Sequence, residues 1–209
     1  MKRVLITGGN GDIAKAIVKR LVDNGNFCVK APGKDELDVT DMASTENYVA
    51  DFVPDILINN AGYVVPQSIR TCDVELDKKS IDINLFGTFN CTAAVLAKNP
   101  NAQIINIGSS AATKIHGTWS AYCAAKAAVV MATKCWAEDG VNTVCISPGR
   151  TATKMRNGLY PLEDQNTLLK PDEFAAIVCY AIAGQYEAGT HIDVNLQNVK
   201  ELIYAAERD

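Results

Sequence analysis

Tyr122 and Lys126 stand four residues apart in the stretch AYCAAKAA. On a helix that spacing puts both side chains on one face. A phenol can move a proton, but its ordinary pKa of about 10 is too high for easy exchange near neutrality. A nearby ammonium favours the phenolate and brings the phenol into range. The pair is therefore a candidate proton-transfer site. Spacing alone does not establish it. With 7 Tyr and 20 Lys or Arg in 209 residues, about one such pair arises by chance, and by itself it reads as a helix-surface contact.

A second stretch, LITGGNGDIA, places Gly8, Gly11 and Ala14 in the pattern G-x-x-G-x-x-A. The first glycine permits a tight turn, and the second lets backbone approach a pyrophosphate. The small third residue lets helix and strand pack closely. The helix that follows presents free N–H groups to the phosphate charge. A glycine motif alone also fits an ordinary strand–helix turn; its place at the first such junction favours dinucleotide binding.

These residues need elements to position them. Residues 3–7 read as a buried strand, followed by a helix with Ile13, Ile17 and Leu21 at helical spacing and Gly25 as its C-terminal cap. Further strands are expected at 27–31, 36–39, 55–59, 102–108, 141–147 and 190–194. Helices are expected at 41–52, 74–98, 119–139, 171–183 and 199–207. This β-α-β alternation implies a single α/β domain with a doubly wound parallel sheet, helices on both faces and three α/β/α layers. The stretch 150–169 is polar, lacks periodicity and contains Gly158 and Pro161. A long loop after a strand's carboxyl end is a candidate substrate loop, here about 150–170.

The chain has 48% hydrophobic residues, enough for a sizeable core, and a net charge of −4 with no block of like charge. Nothing in that balance points to nucleic acid or to an anionic membrane. Seven scattered cysteines without C-x-x-C suit reduced, buried thiols in a cytoplasmic setting. Two histidines make a His-rich metal site unexpected, so no metal is expected. The N-terminal apolar run breaks into glycines too early for a signal peptide or a spanning helix.

The residues quoted above, with others, resemble the short-chain dehydrogenases/reductases over nearly the whole chain. That family's Thr-Gly-x-x-x-Gly-x-Gly turn is matched loosely by Thr7, Gly8, Gly9, Asn10, Gly11, Asp12, Ile13 and Ala14. Asp12 and Ala14 stand where the pattern has glycines. An aspartate there repels a pyrophosphate unless it points away or caps the helix. Asn59-Asn60-Ala61-Gly62 resembles the family's segment after the fourth strand, which stabilises the sheet and borders the adenosine site. Asp38-Val39 resembles its adenine-contacting pair, and Pro148-Gly149 with Thr153 resembles the segment flanking the nicotinamide.

The resemblance extends to a catalytic set: Asn84 in IDINLFG, Ser109 in INIGSSAA, and Tyr122 with Lys126. It implies a Rossmann-like fold and an NAD(P)-dependent oxidoreductase acting on an alcohol/carbonyl pair. Tyr122 is then the general acid or base, and Lys126 also bonds the nicotinamide ribose. Ser109 holds the substrate oxygen, and Asn84 holds a water linking Lys126 to solvent. It further implies a homodimer or homotetramer through helices at about 74–98 and 119–139. Trp119 and His116 lie near this set; Trp119 fits a pocket wall or packing, His116 an exposed loop. Cys123 reads as a buried structural thiol.

NAD-binding members usually end the second strand with an acid that bonds the ribose 2′-OH. Here that place holds Lys30-Ala31-Pro32-Gly33-Lys34, and two lysines suit a 2′-phosphate. NADP(H) is favoured over NAD(H), although Asp35 and Glu36 lie close. Little sequence separates the second strand from 36–39, so a helix usual in the family is missing. The alternative from another class is a non-catalytic dinucleotide-binding or sensor protein. A sugar-nucleotide epimerase or dehydratase shares the fold and the Tyr/Lys pair, but usually carries a much larger C-terminal part.

Overall fold

The computed structural model describes residues 1–206. Six parallel strands form one sheet: β1 (Lys2–Ile6), β2 (Phe27–Lys30), β3 (Ile56–Asn59), β4 (Gln103–Ile107), β5 (Thr143–Pro148) and β6 (His191–Val194). Their order is β2-β1-β3-β4-β5-β6. The chain reverses direction across the sheet between β1 and β3, which opens a crevice at the carboxyl ends of those two strands.

Strands β1, β3, β4 and β5 carry runs of Ile, Leu and Val because both of their faces are covered. One face packs on α1 (Asp12–Asn24), α7 (Pro171–Ile182) and α8 (Val199–Ala206) through Val4, Ile6, Ile58, Ile105 and Phe174. The other packs on α2 (Met42–Asp51) and α4 (Gly87–Lys98) through Leu5, Leu57, Ile104, Cys91 and Val95, and on α5 (Ser120–Glu138) along β4 and β5. The sheet is thus a doubly wound three-layer α/β/α domain. Glu207, the expected end of the last helix, lies outside the described residues. No helix among the described residues is long and apolar enough to cross a membrane.

A polar row crosses the second face. Asn59, Asn106, Cys145 and His191 stand side by side on β3, β4, β5 and β6. Asn59 Nδ2 donates to Asn106 Oδ1 (2.9 Å) and to Thr92 Oγ1 on α4 (3.0 Å). Asn106 Nδ2 donates to Thr133 Oγ1 on α5 (2.9 Å). Ser147 Oγ and His191 Nε2 lie 2.8 Å apart.

Three expectations are corrected. Residues 36–39 form no strand. The Glu36 carboxylate accepts the Gly33 N–H (3.0 Å), and Asp38 Oδ1 accepts from the N–H (3.0 Å) and hydroxyl (2.7 Å) of Thr40. These local bonds close turns in place of a ladder, and Leu37 and Val39 alternate because both anchor in the core. The long helix expected over 74–98 is α3 (Val74–Ile81) and α4, joined by a π-turn at Asp82–Phe86. The cysteines are free, but only Cys91 and Cys145 are buried; Cys28 and Cys135 are exposed and Cys123 is partly so.

Candidate active site

Gly8, two residues after β1, has φ +68°, a conformation that strains any residue with a side chain, and a Cβ there would also press on Ala61. Thr7 Oγ1 accepts the N–H groups of Asn60 (3.0 Å) and Ala61 (2.9 Å), while Asn60 Nδ2 donates to the Thr7 carbonyl (2.9 Å). The glycine-rich turn and the segment after β3 are therefore bound together at the crevice. Gly11 precedes α1 with extended backbone and no side-chain cap, which leaves the first-turn N–H groups open. Asp12 does not face them: its Oδ2 accepts the backbone N–H of Lys154 at 2.6 Å.

A groove of about 640 Å³ runs from this turn across the ends of the strands. Gly8, Asn10, Gly11, Asp12, Ile13, Asp38, Val39, Asn60, Ala61, Gly62, Tyr122, Lys126, Pro148 and Thr153 all line it. A smaller cavity of about 120 Å³ adjoins it, lined by Ser109, His116, Trp119, Gly149, Arg150 and Arg156. Ile13, Tyr122, Pro148, Thr153 and Met155 line both. The groove, the cradle at Gly8 and the open helix terminus fit an extended dinucleotide. Among the described residues no group of three His, Cys, Asp or Glu is placed to hold a metal ion.

Tyr122 and Lys126 sit on α5, one turn apart. Lys126 is 4% exposed, and its Nζ donates to the Ile107 carbonyl at 2.8 Å. Burial pushes its pKa down to about 8. Burial also pushes the Tyr122 phenol up, and a hydrogen bond with Ser109 pulls it back. The lowering expected from Lys126 is thus supplied by Ser109. The ammonium lies 5.8 Å from the Tyr122 ring centroid, and its own charge is disfavoured by burial. Ser109 follows β4, and its Oγ also accepts the Ala111 N–H (3.1 Å). Ser110 lines the same cavity, but Ser109 is the serine bonded to Tyr122.

Asn84 lies in the π-turn that packs against α5, the helix of Tyr122 and Lys126. It is fully buried in the π-turn, and its Nδ2 donates to the carbonyls of Ser80 (2.8 Å) and Tyr63. It fastens the helix to the loop after Gly62 and lines neither cavity. Lys30 also departs from expectation. Its ammonium lies over Phe52 (4.8 Å) and Tyr48 (5.7 Å), so of the two lysines only Lys34 lines the groove.

Trp119, His116 and Thr153, expected near the site, line the smaller cavity, whereas Arg150, Arg156 and Glu163 carried no sequence signal of their own. Trp119 is 8% exposed; His116 stacks on it at 4.7 Å and Tyr122 meets its edge at 5.8 Å. The segment expected as a substrate loop holds a short helix, α6 (Lys154–Leu159), begun by Thr153, whose Oγ1 accepts the Arg156 N–H (3.1 Å). Arg156 binds Glu163 through Nε (2.6 Å) and Nη2 (2.8 Å), and Arg150 Nη1 reaches the same carboxylate at 3.1 Å. Thr151 bridges to Leu169 at the loop's base. The only hint was the loop's position after a strand's carboxyl end.

Residues 34–164 match the short chain dehydrogenase family. The chain is 28% identical to the bifunctional ribulose 5-phosphate reductase/CDP-ribitol pyrophosphorylase of Haemophilus influenzae, over 93% of this chain but 43% of that protein. It thus spans less than half the length of that relative. Two solved structures share its fold: 4-hydroxyisoleucine dehydrogenase complexed with NADH (TM-score 0.81, 23% identity, 93% of this chain and 96% of that one), and a small-chain dehydrogenase in complex with NADPH (TM-score 0.82, 21% identity, 92% and 96%). The family match spans β3, β4 and β5 and the residues that bring Ser109, Tyr122 and Lys126 together, and on that ground the chain belongs to the short-chain dehydrogenase family.

Proposed function

We propose that this protein is a nicotinamide-dependent oxidoreductase that interconverts an alcohol and a carbonyl. The observation that carries this reading is the meeting of groove and cavity at Tyr122, with Ser109 bonded to it and Lys126 one turn away. The bound nicotinamide supplies or accepts the hydride. Tyr122 gives a proton to the carbonyl oxygen during reduction and takes it back during oxidation. Ser109 already hydrogen-bonds the phenol, and its hydroxyl shares the cavity where that oxygen would sit. Lys126 lines the groove, buried and held by Ile107, where it can bond a ribose hydroxyl and set the local charge. Asn84 acts at one remove, by fixing the backbone beside Gly62.

NADP(H) is the preferred cofactor in this reading, because Lys34 lines the groove near Asp38 and Glu36 is turned back onto Gly33. The assembly is a homodimer or homotetramer built on the exposed faces of α4 and α5. The first test is thermal unfolding without ligand and with NAD⁺, NADH, NADP⁺ and NADPH, followed by a carbonyl screen at 340 nm. At a hundredfold excess over Kd, a ligand specific to the folded state adds about 2.7 kcal/mol of stability. A larger shift with NADPH than with NADH supports the reading. No shift with any of the four at millimolar concentration would bring back the non-catalytic alternative.

A further inference from the structure

The cavity beside Tyr122 is small and unevenly charged. At about 120 Å³ it falls well below the roughly 300 to 1,000 Å³ of sites for drug-sized ligands. Two guanidinium groups line it, Arg150 and Arg156. One carboxylate, Glu163, serves both. Its carboxyl is held below the usual range, first by the Arg156 hydrogen bond, so it bears one full negative charge. Two positive charges against one leave the wall cationic.

The arginines are also not equally engaged. Arg156 is 15% exposed and meets Glu163 through two nitrogens. Arg150 is 58% exposed and gives Glu163 only Nη1, which leaves its Nε and Nη2 donors for another acceptor. A planar guanidinium with free donors suits a carboxylate or phosphoryl group, which it can grip through two bonds. Glu163 meanwhile holds both side chains in place, and the Thr151–Leu169 bridge fixes the backbone beside Arg150. The cation is therefore presented from an ordered wall.

We propose that the substrate is a short hydroxy or keto compound carrying an anionic group, phosphoryl or carboxylate, which Arg150 binds with Arg156 behind it. This rests on the oxidoreductase reading above and adds the substrate class. Trp119 and Leu159 form the apolar side of the same cavity, whose small volume suits a short carbon skeleton.

The test uses matched pairs of three to six carbons: ketose phosphates against the free ketoses, and oxo acids against their methyl esters. The full chain with bound NADPH is titrated with each compound and followed by thermal unfolding, and in parallel by absorbance at 340 nm. Anionic members of one pair series should raise the unfolding temperature and be reduced with at least tenfold lower KM than their neutral partners. Which series responds identifies phosphoryl or carboxylate. Arg150→Gln should raise KM for the anion about tenfold or more and erase the discrimination, and Arg150→Lys should restore part of it. Equal use of neutral and anionic partners, or an unchanged KM in Arg150→Gln, overturns the proposal. So does a panel in which no anion stabilises the NADPH complex. Stabilisation by anions without any hydride transfer would instead overturn the oxidoreductase reading and leave the anion site standing.

Discussion

Tyr122 and Lys126 share one face of α5, yet burial moves them in opposite directions, the phenol up and the ammonium down to about 8. Both shifts favour the neutral form. Tyr122→Phe removes the transferable proton and leaves the ring in place. Turnover should fall about 10²- to 10⁴-fold while nucleotide affinity in a fluorescence titration stays within about twofold. Full activity in that variant would exclude Tyr122 as acid or base. Lys126 gives a stability prediction. Its pKa falls from 10.5 unfolded to about 8 folded. Between those values the unfolded chain binds the extra proton, so this residue's contribution to stability rises with pH. Below pH 8 the full penalty, about 3 kcal/mol, remains. Lys126→Met should therefore gain most relative to wild type near pH 7, and the gap should narrow from pH 8 to 10.5 in urea unfolding. One helical turn fixed the relation of the two residues in the sequence, but their reading as a site rested on the resemblance that added Ser109 and Asn84. The Asn84 partners were not, since a π-turn shifts the helical register and nothing in IDINLFG marks it. Arg150 and Arg156 also escaped notice, because a loop without periodicity does not reveal which charges face inward.

At the scale of the element, the segment from Thr153 through α6 lines both cavities. It is tied to the N-terminus of α1 by Asp12, whose carboxylate accepts the Lys154 N–H at 2.6 Å. The aspartate that stands in a glycine's place thus points at the substrate loop, and its expected repulsion of a pyrophosphate gives way to a latch. Asp12→Ala should weaken dinucleotide binding by about tenfold, the worth of one charge-assisted hydrogen bond. It should also speed hydrogen exchange at the Lys154 amide in the ligand-free protein. Asp12→Asn, which keeps an acceptor, should lie between. Tighter binding in both variants would mean that charge repulsion dominates. The strands were mostly legible because they are apolar on both faces. Residues 36–39 misled for the same reason: Leu37 and Val39 alternate like a strand, but no feature of four residues tells anchoring from pairing.

On the scale of the whole molecule, exposed apolar side chains are spread over several elements, and three of them stand on or beside α4 and α5. Phe89 is 40% exposed, Met131 61%, and Phe86 in the preceding π-turn 54%. Phe89 packs edge-on against Trp136 at 4.9 Å, so the two helices present one continuous patch. An apolar patch of this kind is where the proposed homo-oligomer would be joined. Light scattering should give a dimer or tetramer for the wild type, and Phe89→Glu with Met131→Glu should reduce its mass to that of a single chain. An unchanged mass in the double variant would place the interface elsewhere. The layer order and the crevice at β1 and β3 followed from β-α-β alternation, whereas the pairing of copies rests on which helix faces stay uncovered.

The polar row through Asn59, Asn106, Cys145 and His191 bears on how the sheet finds its alignment. Two amides and two threonine hydroxyls interlock beneath α4 and α5, while the opposite face of the same strands is Ile and Val. Sliding β4 by one residue would carry Asn106 into that hydrocarbon layer and strand its amide without a partner. The row thus works as a key cut into the central strands: a misaligned pairing would bury an amide without a partner and is penalised for it.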